Sequence, residues 1–377
     1  MKLHTLGLTA LLACSAAVGA IPRAAAVGGD SASTLYYPPA EGAWDTVSPQ
    51  AAGWDTGGLD AALAYAGAQR SSAVVVLHRG RILAERHWKL EPNPDDPQDR
   101  VGRMTTARTA DGHAVEDVAS VQKSVLSFLA GIARGKGLLD FDAPVSRYLG
   151  EGWSKATPAQ EAAITVRHLL GMTTGLAIDG SHQTPPTGKW MYNTTVYSRL
   201  VQVLERASGL SVHEYTRQWL TDRVGMRDSR WTPRPWATEP GAGDANTIGF
   251  SSSARDLARF GLLVLAGGSW NREDVLGDGR YLAEAFAPSQ PHNPSYGLLW
   301  WLNGQANTMS RGSKVAGPLI PTAPADLVSA QGALTRRVYV VPSLELVVTR
   351  IGDQPAGDFD DELWRRLVAA APKRGGE

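Results

Sequence analysis

Apolar residues recur along this chain with two distinct periods, and the switch between them outlines the fold. Helical spacing appears first over 59–69. Two runs rich in β-branched residues follow, 73–78 (AVVVLH) and 82–87. Arg79-Gly80-Arg81 joins them, which predicts a hairpin with glycine in its turn. Residues 91–112 are polar and proline-rich, carry no period, and read as a loop. Helical spacing returns at Val121, Val125, Phe128, Leu129 and Ile132, with Gly135 and Gly137 as the stop. From 138 to 226 the signals stay helical. A short helix is predicted over 165–170, ending at Gly171. Another follows on Val196, Leu200, Val203, Leu204 and Ala207, ending at Gly209. Ser211 and Glu214 make a capping-box pattern for the next helix, which buries Tyr215 and Trp219. Ser253 caps a helix carrying Leu257, Phe260 and Leu263 that stops at Gly267-Gly268. Three strands are then predicted over 327–334, 337–341 and 344–351. An amphipathic helix over 358–370, built on Leu363, Trp364 and Leu367, closes the chain.

An early hairpin and late strands share one sheet only if the helical block between them is an insertion. The sequence therefore predicts an α+β fold, an antiparallel β-sheet flanked by helices, with an inserted helical domain. The α+β part takes 54–137 and 269–372, and the mainly helical insertion takes 138–268. The first and last helices should cover the sheet. Residues 27–53 read as a flexible leader, with structure starting near Trp54.

Composition narrows the class. The chain has 377 residues, 43% of them apolar, enough to bury a large core. Its net charge is zero. No basic stripe argues for nucleic acid, and no Cys/His cluster or H-E-x-x-H motif argues for a metal, so no cofactor is predicted. Lys2 followed by an apolar run over 6–13 reads as a signal peptide within 1–26. Leu11-Leu12-Ala13-Cys14 has the form of a bacterial lipobox, which would put a lipid on Cys14; small residues at 18–20 or 24–26 equally suit ordinary cleavage. Cys14 is the only cysteine, so no internal disulfide forms. The expectation is an exported envelope protein, secreted, periplasmic or lipid-anchored, that touches a membrane only through such an anchor.

The candidate chemistry centres on Ser120 and Lys123. They sit three apart at the start of a core helix and face the same way. The helix end offers backbone N–H groups to a developing oxyanion. A lysine sealed from water holds its proton less tightly and can serve as a base. Read alone, Ser120 is equally a plain N-cap and Lys123 a solvated charge. Lys123 is, however, the only lysine with a serine three residues before it. Tyr192 lies at the edge of a helix, where its hydroxyl can enter a cleft. On the first late strand, glycine in Ala330-Gln331-Gly332-Ala333 marks a close approach, and Ala333 N–H can supply a second oxyanion donor.

These segments, in this order, resemble the serine β-lactamase/penicillin-binding-protein superfamily, and within it the class C-like esterases, D-alanyl peptidases and aminohexanoate-dimer hydrolases. ASVQKS resembles the nucleophile motif, ITVRHLLGMTTGL the segment after it, WMYNTTVYSRLVQVLERASGL the tyrosine motif, and RRVYVVPSLELVVTRIGD the terminal strand pair. The resemblance implies Ser120 as acylating nucleophile, Lys123 as base or proton relay, and Tyr192 as proton shuttle. It implies an oxyanion hole from the Ser120 and Ala333 N–H groups, with Gly332, Thr194 and Asn193 binding substrate. Two departures stand out. Thr194 occupies the place of the family's asparagine, beside Asn193. Ala330 occupies the place of a lysine or histidine that helps hold a substrate carboxylate. Arg336 or Arg337 can replace that cation only singly, since alternation sets them on opposite faces. The rim is expected from 179–189, 231–246 and 304–325, with Trp190, Trp231, Trp236, Trp300 and Trp301 as candidates to line an apolar cleft.

The predicted function is an exported serine hydrolase that cleaves an ester or amide of a small-molecule or peptide-like substrate through a Ser120 acyl-enzyme. Esterase or amidase chemistry fits better than β-lactam turnover. The alternatives are a non-catalytic envelope binding protein on the same fold, and a D-alanyl peptidase or β-lactamase.

Overall fold

A six-stranded antiparallel sheet carries the molecule, and its two halves come from opposite ends of the chain. The computed structural model describes residues 35–92, 95, 99–234, 247–310 and 312–373. Residues 1–26, predicted as a signal peptide, with Cys14 among them, and Trp236 lie outside the described residues. Strands β1 (Ser71–His78) and β2 (Arg81–His87) form the predicted hairpin. β3 (Thr105–Arg108) and β4 (Ala114–Asp117) follow, then β5 (Arg230–Pro233), β6 (Ile248–Ser253), β7 (Ser269–Trp270) and β8 (Glu273–Asp274). The late strands are β9 (Trp301–Leu302), β10 (Asn307–Ser310), β11 (Ser313–Ala316), β12 (Val328–Gly332), β13 (Arg336–Val341) and β14 (Leu346–Gly352). The large sheet runs β2-β1-β14-β13-β12-β9. β1 pairs with β14 through residues such as Val75 and Thr349, 274 positions apart in sequence.

Alternation along the strands splits the core in two. Val74, Val76, Tyr339, Val341 and Val348 face the first and last helices, Thr56–Ala68 and Phe359–Ala370. Val75, Leu77, Ala330, Val338, Val340 and Val347 face the helix Val121–Gly135 and the helix Ala254–Leu265. The latter lies against β1, β13 and β14. The boundary at 268 had assigned it to the helical insertion. The helix is instead part of the sheet's cover: Thr349 Oγ1 donates to Ala254 O at 3.0 Å, and a Cβ on Gly261 would run into Val347. Periodicity shows that a helix has an apolar face, not what that face meets.

Three other expectations change. The leader is not free as far as Trp54: Trp44 is buried, its indole N–H donates to Gly80 O at 2.8 Å, and Val47 N–H bonds Ile82 O at 2.9 Å. One aromatic among Pro and Gly leaves no period to detect. The loop 91–112 contains the helical turn Val101–Met104 and β3. The mainly helical 138–268 segment also holds β5 and β6, which join β3 and β4 in a second sheet ordered β3-β4-β6-β5. β6 ends in Ser251-Ser252-Ser253, small polar residues with no alternating pattern. The helices Ser146–Leu149, Val166–Leu170, Thr194–Tyr197 and Val212–Thr216 pack on Arg199–Ser208, which also packs on the Val121–Gly135 helix.

At the sheet edge Glu85 ties β2 to the helix Ala254–Leu265. Arg255 Nε and Nη2 donate to it at 2.8 and 2.9 Å, and His87 Nε2 lies 2.6 Å away. Burial raises its carboxyl, but these hydrogen bonds and charges outweigh burial and bring it from the usual 4.5 to about 2. A depressed folded-state value stabilises the fold above the unfolded value, and that stability drains away as the pH falls from 4.5 toward 2. The urea midpoint should therefore drop across this window, and Glu85→Gln should flatten the drop. A variant with the wild-type pH slope would exclude Glu85 as its source.

Candidate active site

Ser120 opens the helix Val121–Gly135, every residue of which is buried from Val121 to Ala133. Its side chain makes no capping hydrogen bond, so the N-cap alternative is not what the geometry shows. Ser120 is partly exposed, and Lys123, one turn on, is 2% exposed. Lys123 Nζ donates to Ser120 Oγ at 3.0 Å. The ammonium also lies 4.9 Å from the Tyr192 ring centre and 4.3 Å from that of Tyr197. The Tyr192 side chain hydrogen-bonds Ser120 as well. Burial pushes its hydroxyl well above its ordinary value, against the smaller lowering effects of the Ser120 bond and the Arg337 charge. At neutral pH Tyr192 is therefore a neutral phenol and a proton donor.

The residue before Ser120 is strained. Ala119 has φ 51°, a left-handed conformation that costs a non-glycine residue about 1–3 kcal/mol. Its N–H donates to Asp117 Oδ1 at 2.8 Å, and Val118 N–H to Phe250 O at 2.8 Å. The end of β12 meets the same turn. A Cβ on Gly332 would run into the Val118 carbonyl oxygen and sit 3.2 Å from Ser120 N. Glycine is needed here for close approach, not for its φ. Ala333, the next residue, is exposed and begins the tight turn Ala333–Thr335, in which Leu334 and Thr335 both have φ 59°. Gly332→Ala should push β12 off the helix start. We expect turnover about 10²-fold lower, the scale of one misplaced oxyanion donor, with stability lower by about 1–3 kcal/mol. Parallel kinetics and urea unfolding read both, and wild-type turnover by the variant would refute the contact.

The other sequence candidates separate. Thr194 is partly exposed at the start of the helix Thr194–Tyr197, directly beyond the cap residue. Asn193, predicted to bind substrate, is consumed by the fold. Its Oδ1 caps Val196 N–H at 3.0 Å, and its Nδ2 donates to Leu176 O and Ala177 O at 3.2 and 3.1 Å. Helix capping outcompetes the cleft for this side chain. Ala330 is fully buried. The two arginines do lie on opposite faces, and both are engaged. Arg336 Nη2 donates to Glu116 at 2.6 Å, and Arg337 Nη2 to Asp360 at 2.8 Å.

Of the rim tryptophans, Trp190 and Trp301 stand at the site, both partly exposed. Trp301 stacks on Tyr192 at 6.0 Å between centres, Trp190 lies 6.3 Å from Tyr192, and buried Tyr296 packs against all three. Trp300 and Trp231 are core residues, at 0% and 4% exposure. Trp231 faces inward because its indole N–H bonds Thr216 Oγ1 at 2.9 Å.

Residues beneath Ser120 escaped the sequence reading: Asp117, Gln122, Tyr197 and Arg234. Arg234 grips Asp117 through Nε and Nη2, both at 2.7 Å. Gln122 accepts from Arg234 Nη2 at 2.9 Å and donates to Tyr197 OH at 2.7 Å. The one available signal was a glutamine on the inward face of an apolar helix, which demands partners. Nothing local marks Arg234. Among the described residues no group of three or more His, Cys, Asp or Glu is placed to hold a metal.

A family model described as Beta-lactamase matches residues 59–373. An uncharacterized protein of Alkalihalophilus pseudofirmus is 24% identical over 301 residues, covering 74% of this chain and 82% of that protein. Penicillin-binding protein 4* of Bacillus subtilis is 26% identical over 154 residues, 34% of this chain and 33% of its own length. A solved beta-lactamase of Mycobacterium bovis superposes with a TM-score of 0.56 at 20% identity, covering 82% of this chain and 97% of that one. A Bacillus anthracis protein provisionally described as a 6-aminohexanoate-dimer hydrolase superposes at 0.60 and 15% identity, over 89% and 88%. At such identities the structural likeness establishes the fold. The match over most of the chain establishes more: this protein belongs to the beta-lactamase family of serine hydrolases.

Proposed function

We propose that the protein hydrolyses a neutral ester or amide through a covalent acyl-enzyme on Ser120. The observation that carries this reading is the double engagement of Ser120, bonded to both Lys123 Nζ and the Tyr192 side chain. In molecules whose Lys123 amine is unprotonated, Ser120 Oγ attacks the substrate carbonyl and passes its proton to Lys123. The Ser120 and Ala333 N–H groups receive the oxyanion. Tyr192 protonates the leaving group, and Lys123 returns a proton to Tyr192. Water then enters and hydrolyses the acyl-enzyme by the same relay in reverse. The assignment of Lys123 as base and Tyr192 as acid rests on the raised Tyr192 hydroxyl.

Neutrality of the substrate rests on Ala330, Arg336 and Arg337. A buried alanine stands where a cation would meet a carboxylate, and both nearby guanidinium groups are spent on carboxylates of the protein. The partly exposed faces of Trp190 and Trp301 favour an apolar group beside the scissile bond. Export, with or without a lipid on Cys14, belongs to the same reading. It is supported by the charged and apolar pattern of the first residues.

The test is intact mass after incubation with a fluorophosphonate, followed by peptide mapping. One adduct, on Ser120, is expected. A folded protein that takes no label, from this probe or from a β-lactam, would favour the binding-protein alternative. Rapid turnover of a chromogenic cephalosporin would refute the neutral-substrate assignment.

A further inference from the structure

We propose that Asp117 and Arg234 are positioning residues: a buried ion pair that sets the geometry of Ser120 and Lys123 through two separate arms. This inference rests on the reading of Ser120 as nucleophile. The pair is two-pronged, and its side chains are 4% and 6% exposed. One arm is backbone. Asp117 Oδ1 accepts from Ala119 N–H at 2.8 Å, which pins the left-handed residue immediately before Ser120. The other arm is side chain. Arg234 Nη2 orients Gln122, which also accepts from Phe250 N–H at 3.1 Å. Gln122 donates to Tyr197 OH, and the Tyr197 ring supports the Lys123 ammonium at 4.3 Å. The carboxylate thus acts on the nucleophile's backbone, and the guanidinium on the lysine's bed.

Two observations tie this arrangement to position more than to stability. A buried ion pair is a poor stabiliser, because desolvating two charges offsets most of their attraction. Here the surroundings are also shaped for it. A Cβ on Gly249 would collide with Arg234 Nη2 and Asp117 Oδ2 together, so β6 carries a notch that the pair fills. The planar fork of arginine is what lets one residue hold Asp117 with two bonds and still reach Gln122.

The experiment measures fluorophosphonate labelling of Ser120 at several probe concentrations in wild type, Arg234→Ala, Arg234→Lys, Gly249→Ala and Gln122→Leu, with circular dichroism and thermal unfolding in parallel. For Arg234→Ala we expect a limiting labelling rate about 10²-fold lower, the scale of an ångström of misplacement. The probe concentration for half-maximal rate should be unchanged, and millimolar guanidinium should restore part of the rate. Arg234→Lys should fall between, because an ammonium cannot reproduce the fork. Gln122→Leu removes the side-chain arm together with the Phe250 N–H bond and leaves the Asp117–Arg234 bonds in place; it should lose about tenfold. It also keeps the test decisive if Arg234→Ala does not fold. The inference is overturned if folded Arg234→Ala labels within twofold of wild type. It is equally overturned if guanidinium restores thermal stability without restoring rate, or if Gln122→Leu labels normally. A wild type that takes no label overturns the reading of Ser120 and this inference with it, whereas a labelled wild type beside an unaffected Arg234→Ala overturns the inference alone.

Discussion

Replacing Ser120 by alanine is expected to lower hydrolysis of a short-chain p-nitrophenyl ester by about 10⁵-fold, the scale seen when a serine hydrolase loses its nucleophile, while leaving the fold untouched. The two halves of that expectation come from one feature. Ser120 Oγ is held by Lys123 Nζ and by Tyr192. It makes no capping bond to the helix it opens. Removing the hydroxyl therefore removes the attacking atom and leaves every backbone contact of the turn in place. Stability should change by no more than about 0.5 kcal/mol, as for a partly exposed side chain with no structural duty. Measured kcat/KM and the urea midpoint settle both halves. Turnover within tenfold of wild type would show that Ser120 is not the nucleophile. A collapse in stability would show that it was a structural cap after all.

Replacing Lys123 by methionine should lower kcat by about 10³-fold, within the range for losing a positioned acid–base group. The thermal midpoint should hold or rise. Lys123 is 2% exposed, so the fold bears the cost of burying an ammonium. Methionine keeps the straight apolar stem, fills the space beside Tyr192 and Tyr197, and carries no charge to desolvate. A simple structural lysine would give the opposite pattern, with stability lost and residual activity proportional to the folded fraction. Activity retained in a folded Lys123→Met would shift the base assignment to Tyr192. In that case Tyr192→Phe should lose the rate that Lys123→Met keeps.

Much of this site was legible because its parts are local. Ser120 and Lys123 share one helical turn, and a helical turn is written in four consecutive residues. Tyr192 is announced by the helix that follows it. Gly332 is conspicuous as a glycine inside a strand. Their convergence follows once the hairpin and late strands share a sheet, as β1, β12, β13 and β14 do. Even the opposite facing of Arg336 and Arg337 follows from strand geometry alone.

The errors and omissions have a common physical origin. The resemblance implies substrate binding by Asn193. Its side chain instead satisfies Val196 N–H and two loop carbonyls, a competition visible only when the loop at 176–177 is in place. Glu116 and Asp117 are two adjacent charged residues with no local mark of burial, and the fold buries both. Their partners Arg336 and Arg234 lie 220 and 117 residues away. Trp231 and Trp300 looked as suited to a rim as Trp190 and Trp301, because a tryptophan is large and apolar wherever it falls.

Taken alone, the sequence determined the hairpin, the late strands, the long amphipathic helices, and which serine and lysine can share a turn, since each of these depends on neighbours within about seven residues. It did not reveal β3, β5 and β6, whose short, polar-rich runs carry no period. The tertiary structure alone decided which polar groups meet in the interior: Arg234 with Asp117, Gln122 with Tyr197, and both arginines of β13 with carboxylates instead of a substrate. Pairing in a desolvated core is a matter of distance and register, and no period along the chain records which distant residue will arrive.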